Sequence, residues 1–214
     1  MAEGSSEHVQ VVTISAAYGA GGSLIGPGVA QRLAVPFLDR AIPAAVARTL
    51  DVPLDEVLSR DERRPSMLER IMSGLAASGG PLGVTPTATA GTIATEDAFR
   101  ATTEQVLREL AKREGAVVLG RAGAVVLAEH PSALHVRLTG PRSARIEVVM
   151  AHERLARDAA AKLLDATDRA WESYVRYFYK ADPRDPALYH LVIDSTAISL
   201  EVCSDIIAAA ARAR

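Results

Sequence analysis

A single cysteine among 214 residues, Cys203, excludes an internal disulfide and a zinc site built from several thiolates. It falls in a helical apolar pattern, where a buried structural thiol is expected rather than a nucleophile. Aromatic residues are scarce at 4%, against 49% apolar residues in all, so the core has to be assembled largely from Ala, Val, Leu and Ile. The histidines, His8, His130, His135, His152 and His190, show no metal-ligand spacing. A formal net charge of −2 supplies no general field for nucleic acid or an anionic membrane, so any phosphate must be met by local donors. No apolar run approaches the length of a membrane span, and Met1 to Gln10 lacks a basic-then-apolar signal layout. Residues 1–8 read as a disordered end and 9–214 as one domain, with a soluble cytoplasmic protein as the expectation.

What is present alternates between two kinds of segment. Val9 to Ser15 is a β-branched run suited to a strand buried on both faces. A glycine-rich turn follows, then Leu24, Ile25, Val29, Ala30 and Leu33 at helical spacing. Val35 to Asp39 predicts a second short strand ending in a carboxylate. Helices are predicted at Ile42 to Leu50, Leu54 to Arg60 and Ser66 to Ala77, the last with Pro65 at its start. Ser78 to Thr95 is rich in Gly, Pro and Thr without periodicity, which reads as a functional cover or a link. Glu96 to Glu114 predicts a helix, Ala116 to Gly120 a strand, Ala124 to Glu129 a brief helix, and Ala133 to Leu138 another strand. Arg142 to His152 predicts a helix, Arg157 to Lys180 a long polar helix or helix pair, Leu191 to Asp194 the last strand, and Leu200 to Ala211 a closing helix. This alternation predicts an α/β domain with a mostly parallel sheet covered on both faces.

The sharpest local feature is Ser15-Ala16-Ala17-Tyr18-Gly19-Ala20-Gly21-Gly22-Ser23. A loop between a buried strand and a helix presents backbone N–H groups at the positive end of the helix dipole. Glycines let that backbone curl around a phosphate without Cβ clashes. A tight turn serving only strand-to-helix packing is the alternative. Against the pattern G-x-x-x-x-G-K-S/T, Ala16 replaces the first glycine, Gly21 matches the second, Gly22 stands where lysine belongs, and Ser23 fills the last position. The lost lysine removes a charge that meets the β- and γ-phosphates, a deficit of about 3–4 kcal/mol by analogy with one lost preorganised donor. A dinucleotide site of the G-x-G-x-x-G kind is the competing reading; Gly19, Gly21 and Asp39 suit it, but Leu24 occupies the third glycine position.

Four segments together resemble the cytidylate-kinase-like family across most of the chain. They are Ile14-Ser15-x-x-Tyr18-Gly19-x-Gly21-Gly22 with Ile25, Leu33, Pro36, Phe37 and Asp39; Val118 to Ala122 with Val125, Val126, Pro131 and Ala133 to Leu138; Asp168-Arg169 with Tyr174 and Arg176; and Asp185-Pro186-x-x-Tyr189-x-Leu191 to Ser195 with Ile198 and Glu201. The divergent family resembles this chain even in carrying Gly-Gly where ordinary cytidylate kinases have Gly-Lys. The resemblance implies a P-loop NTPase fold, three layers α/β/α with a helical lid, and transfer of the ATP γ-phosphoryl group to a nucleoside monophosphate with Mg²⁺. Residues 41–95 then read as an acceptor-side helical insert and flexible loop, and 155–186 as the lid.

On that resemblance Tyr18, Gly19, Ala20, Gly21, Gly22 and Ser23 bind the nucleotide phosphates, and Ser23 also meets Mg²⁺. Arg121, at the carboxyl end of a strand where α/β ligand crevices form, is a candidate for gripping the acceptor phosphate; a surface ion pair is its plain alternative. Asp39 and Arg40 end the second strand and are candidates for the acceptor side, although Asp39 also suits a helix cap. Arg169 and Arg176 are candidate catalytic cations of the lid, with Asp168 on the substrate side as the residue that orients an arginine. Arg142 and Arg145 open a helix and read as surface residues. The aromatic cluster Tyr174, Tyr177, Phe178 and Tyr179 reads as packing of the long helix or a homodimer surface rather than base stacking. Departures from the family pattern are Ala122, Ala16 and Trp171, each where a charged phosphate or sugar contact is usual. A nucleotide-binding module with little catalysis is therefore the second functional reading.

Overall fold

The β-branched run after Gln10 forms the central strand β1 (Val11–Ala16), every residue of it buried. Around it the computed structural model describes residues 10–38, 101, 104–105, 107–109, 111, 115–120 and 122–214. The helices predicted at 42–50, 54–60 and 66–77, and the 78–95 loop, lie outside the described residues.

In chain order the elements are β1, α1 (Gly22–Leu33), β2 (Phe37–Leu38), β3 (Ala116–Leu119), α2 (Gly123–Val126), β4 (Ala133–Thr139), α3 (Arg142–Glu153), α4 (Arg157–Tyr179), a 3-10 turn (Pro186–Leu188), β5 (Leu191–Asp194) and α5 (Leu200–Arg212). Residues 101, 104–105, 107–109 and 111 are also helical, within the stretch predicted as the helix before β3. The strands pair in the order β2-β3-β1-β4-β5, all parallel. Chain order and spatial order diverge at β1, whose neighbours β3 and β4 come later in sequence. Such a switch point opens a crevice at the carboxyl ends of the strands.

Period-2 alternation sorts the sheet residues onto two faces. Val12, Ile14 and Ala16, with Leu134, Val136 and Leu138, form one continuous core with Ile25 and Val29 of α1 and Cys203 and Ile207 of α5. On the opposite face Val11 and Ala133 pack with Ala111 and Leu127, while Ala116 and Val118 pack with Leu38 and Leu107. The three layers α/β/α follow directly.

That second face changes character along the strands. Register pairs Val11 with Ala133, Thr13 with His135 and Ser15 with Arg137. It is apolar at the amino end and polar at the carboxyl end, which is where a ligand crevice is due. The stretch 155–186, read from the sequence as a lid, contributes one unbroken helix, α4, about 35 Å long at 1.5 Å per residue. Tyr174, Val175, Trp171, Phe178 and Tyr179 of α4 pack on α2, and Leu164 and Ala160 pack on Ile146 and Val149 of α3.

Candidate functional site

The turn after β1 is held in a curled form by its glycines. Gly19 has φ +79° and Gly21 φ +69°, the left-handed region that side chains disfavour. A Cβ on Gly19 would also lie 2.6 Å from the Arg145 carbonyl oxygen. Gly21 caps α1 without any side-chain hydrogen bond. Its carbonyl accepts from the N–H groups of Leu24 and Ile25, and the Ala20 N–H donates to the Ala17 carbonyl. The N–H groups of Gly19, Gly21, Gly22 and Ser23 donate to no acceptor among the described residues. Free N–H donors at the start of a helix are of the kind that can receive an anion. The Ser23 side chain is exposed and its hydroxyl makes no hydrogen bond among the described residues.

Arg145 of α3 fixes the loop. Its Nη1 donates to the Tyr18 carbonyl at 2.9 Å and to Asp168 Oδ2 at 2.7 Å, and its Nε donates to the Gly140 carbonyl at 3.1 Å. Asp168 of α4 completes the circuit by accepting from the Tyr18 N–H at 2.9 Å through Oδ1. The Arg145 side chain is only 11% exposed, so the surface role read from the sequence is wrong: Arg145 is the junction of the loop, α3 and α4. Arg142, one turn earlier, does lie on the surface, paired with Asp165. On the far side of the loop, the Ser195 hydroxyl donates to the Ala20 carbonyl at 2.7 Å. Tyr18 turns its ring toward α3, where its hydroxyl bonds Glu153 at 3.1 Å.

Beside the loop opens a cleft of about 320 Å³. Its charged lining is Arg137, Arg145, Arg169 and Arg184 against Asp165, Asp168 and Glu172. Arg145 is matched by Asp168, Arg184 by Glu172 at 3.2 Å, and Asp165 by Arg142. Arg142 holds the Asp165 carboxyl below its ordinary range. Arg137 and Arg169 are left, neither within salt-bridge distance of a carboxylate among the described residues. Trp171 lines the same cleft, and its buried Nε1 has no hydrogen-bond partner among the described residues.

Of the residues nominated from the sequence, the structure brings Tyr18, Gly19, Ala20, Gly21, Gly22 and Ser23 into one loop and sets Asp168 against it. Arg169 lines the cleft. Arg176 does not; it is exposed and pairs with Glu172 and Asp182. Asp39, Arg40 and Arg121 lie outside the described residues. Sequence reasoning passed over Arg137 and misplaced Arg145 on the surface. The signal for Arg137 was an arginine inside an otherwise buried strand; Arg145 carried none.

Deeper on the same sheet face, Thr13 Oγ1 and His135 Nδ1 are hydrogen-bonded at 2.8 Å, and the His135 ring stacks on His190 with centroids 4.9 Å apart. Burial, reinforced by the positive charge of nearby His190 and Arg214, lowers the His135 pKa to about 4. Its Nδ1 is satisfied by Thr13, its buried Nε2 has no hydrogen-bond partner among the described residues, and a pKa this low suits a neutral core histidine better than a base.

A parallel sheet in the order 2-3-1-4-5 with a glycine loop after its central strand defines a P-loop kinase fold. The sequence profile described as the cytidylate kinase-like family matches residues 11–197, and the chain belongs to that family. In solved structures the chain is similar to an uncharacterised protein from Eubacterium ventriosum, with a TM-score of 0.66, 16% identity, and coverage of 96% of this chain and 99% of that one. It is also similar to a gluconokinase from Sinorhizobium meliloti, with a TM-score of 0.51, 17% identity and coverage of 96% and 93%. At such identities the likeness is one of fold. A uronate isomerase from Corynebacterium glutamicum is 33% identical over 94 residues, which are 44% of this chain but 18% of that protein. Among the described residues no helix is long and apolar enough to cross a membrane.

Proposed function

We propose that this protein is a phosphotransferase that moves the γ-phosphoryl group of ATP onto a nucleoside monophosphate, CMP- or dCMP-like, or a related small acceptor. The observation that carries the proposal is the set of four N–H donors at Gly19, Gly21, Gly22 and Ser23 without acceptors among the described residues, beside a cleft in which Arg137 and Arg169 have no carboxylate partner among those residues. ATP, when bound, would supply the phosphoryl group, with Mg²⁺ to spread its charge. The loop amides would hold phosphate oxygens, and the exposed Ser23 hydroxyl suits a metal-bound phosphate. Arg169, on α4, reaches the cleft from the lid side, where closing would exclude water. Phosphoryl transfer asks for alignment and charge neutralisation rather than a nucleophilic side chain, and these residues are of that kind.

A panel of nucleoside monophosphates with ATP and Mg²⁺, assayed for ADP formation, tests this reading. Turnover that exceeds a Ser23→Ala/Arg169→Ala variant by at least tenfold with one acceptor supports it; turnover no faster than that variant removes the kinase claim. Gly22 favours a second reading, a nucleotide-binding regulatory module with little catalysis. Binding of ATP or CMP without turnover selects that one.

A further inference from the structure

A loop of this kind normally presents its own lysine to the phosphates, and here position 22 is glycine. The cation has to come from elsewhere or be absent. Among the described arginines of the cleft, three are disqualified or weakened by their neighbours or their position. Arg145 is committed to Asp168 and the Tyr18 carbonyl. Arg184 is shared between Glu172 and Asp182. Arg169 is free of carboxylates but exposed on α4, where solvent screens it.

Arg137 differs from all three. It stands on β4, directly opposite Ser15 in the sheet register, two residues before the loop begins at Ala17. Its Nη1 donates to Ser15 Oγ at 3.3 Å, and its guanidinium lies 5.7 Å from the centroid of the Tyr189 ring. Tyr189 is itself fixed by a 2.8 Å hydrogen bond from its hydroxyl to the Pro183 carbonyl. Both contacts orient the fork through neutral groups, and neither consumes its charge. Placing an arginine on the inner half of a sheet face without a carboxylate is costly unless an anion completes it. Ala17 and Thr139 line the cleft with it, on the side of the loop.

We infer that Arg137 is the phosphate-binding cation that serves this lysine-free loop, meeting the terminal phosphoryl oxygens from the strand next door. The inference rests on the phosphotransferase reading for its catalytic part and on the cleft alone for its binding part. Arginine suits the task because its planar fork takes two oxygens at once, which a lysine does not.

Trp171, the sole tryptophan, lines the cleft and reports on it. Titration with inorganic tripolyphosphate and with ATP, read by Trp171 fluorescence, is compared for wild type, Arg137→Gln, Arg137→Lys and, as a control on an exposed arginine outside the cleft, Arg157→Gln. The expected result is an affinity loss of at least tenfold in Arg137→Gln, partial retention in Arg137→Lys, and no change in Arg157→Gln. In the kinase assay Arg137→Gln lowers kcat more than it raises the KM for ATP. Tripolyphosphate affinity within twofold of wild type in a folded Arg137→Gln overturns the inference. Binding lost in Arg137→Gln, from a wild type that binds but never turns over, upholds the anion site and overturns the kinase reading alone.

Discussion

A Cβ built on Gly22 would lie 2.6 Å from the Cβ of Ala16, at the two positions where this loop departs from the usual phosphate-loop pattern. The same atom would sit 3.0 Å from Leu119 Cδ1, so the space is closed from a second side. One methyl volume is available to two residues, and the chain has given it to Ala16. Alanine at 16 and glycine at 22 are thus linked by one shared space.

Gly22→Ala is therefore expected to destabilise the fold by about 1–3 kcal/mol through overpacking. Adding Ala16→Gly is expected to recover most of that loss, because neighbours sharing one space are strongly non-additive. Urea unfolding of the two singles and the double variant measures the coupling; additive losses refute the shared space. By the same logic Gly22→Lys raises turnover only in the Ala16→Gly background.

The Arg145–Asp168 junction makes a second prediction. Both side chains are largely buried and both hold the Tyr18 backbone, so removing either strands a charge. Asp168→Asn or Arg145→Met is expected to cost about 3 kcal/mol. A double-mutant cycle on this pair should show clear coupling in thermal melts, while Arg142–Asp165, exposed on α3 and α4, should show none that is measurable. Equal coupling in both pairs would contradict the assignment.

Ser195 supplies the third. Its buried hydroxyl holds the Ala20 carbonyl, and Ser195→Ala leaves that acceptor without its donor. A stability loss of about 1 kcal/mol is expected, together with several-fold weaker ATP binding by calorimetry. Loss of stability with unchanged binding would show that the bond does not shape the loop.

Acid supplies the fourth. The His135 pKa is lowered from 6.5 to about 4 in the fold, so the unfolded chain binds the extra proton first. The stabilisation is complete above pH 6.5 and is lost as pH falls toward 4, at about 1.4 kcal/mol per pH unit, on the order of 3 kcal/mol in full. Thermal melts from pH 7 to pH 4.5 should show this decline, and His135→Phe should flatten it while lowering stability at pH 7. An unchanged slope in His135→Phe would place the titration elsewhere.

The order of strands and helices in the described part was legible because each strand is a short β-branched or apolar run closed by Gly, Pro or Asp. Val11–Ala16 and Ala116–Leu119 are examples, and α4 left open only whether it was one helix or two. The glycine loop was legible for the same local reason. The partners of that loop were not. Asp168 lies 150 residues from Tyr18, and Arg137 lies 122 from Ser15, so no local pattern connects them. Arg145 shows the difficulty most plainly. Three residues after Arg142 on a polar helix it has the same composition around it, and only the packing of α3 against the loop and α4 buries it.

Cys203 lies wholly beneath the surface of α5, and burial pushes its thiol up, away from the reactive thiolate. The native chain is accordingly expected to stay silent toward maleimide and spin-label reagents while folded. A cysteine placed at exposed Leu24 beside the glycine loop and another at exposed Tyr177 on α4 would be the two modified positions, giving a distance ruler between that loop and the long helix without first deleting a native residue.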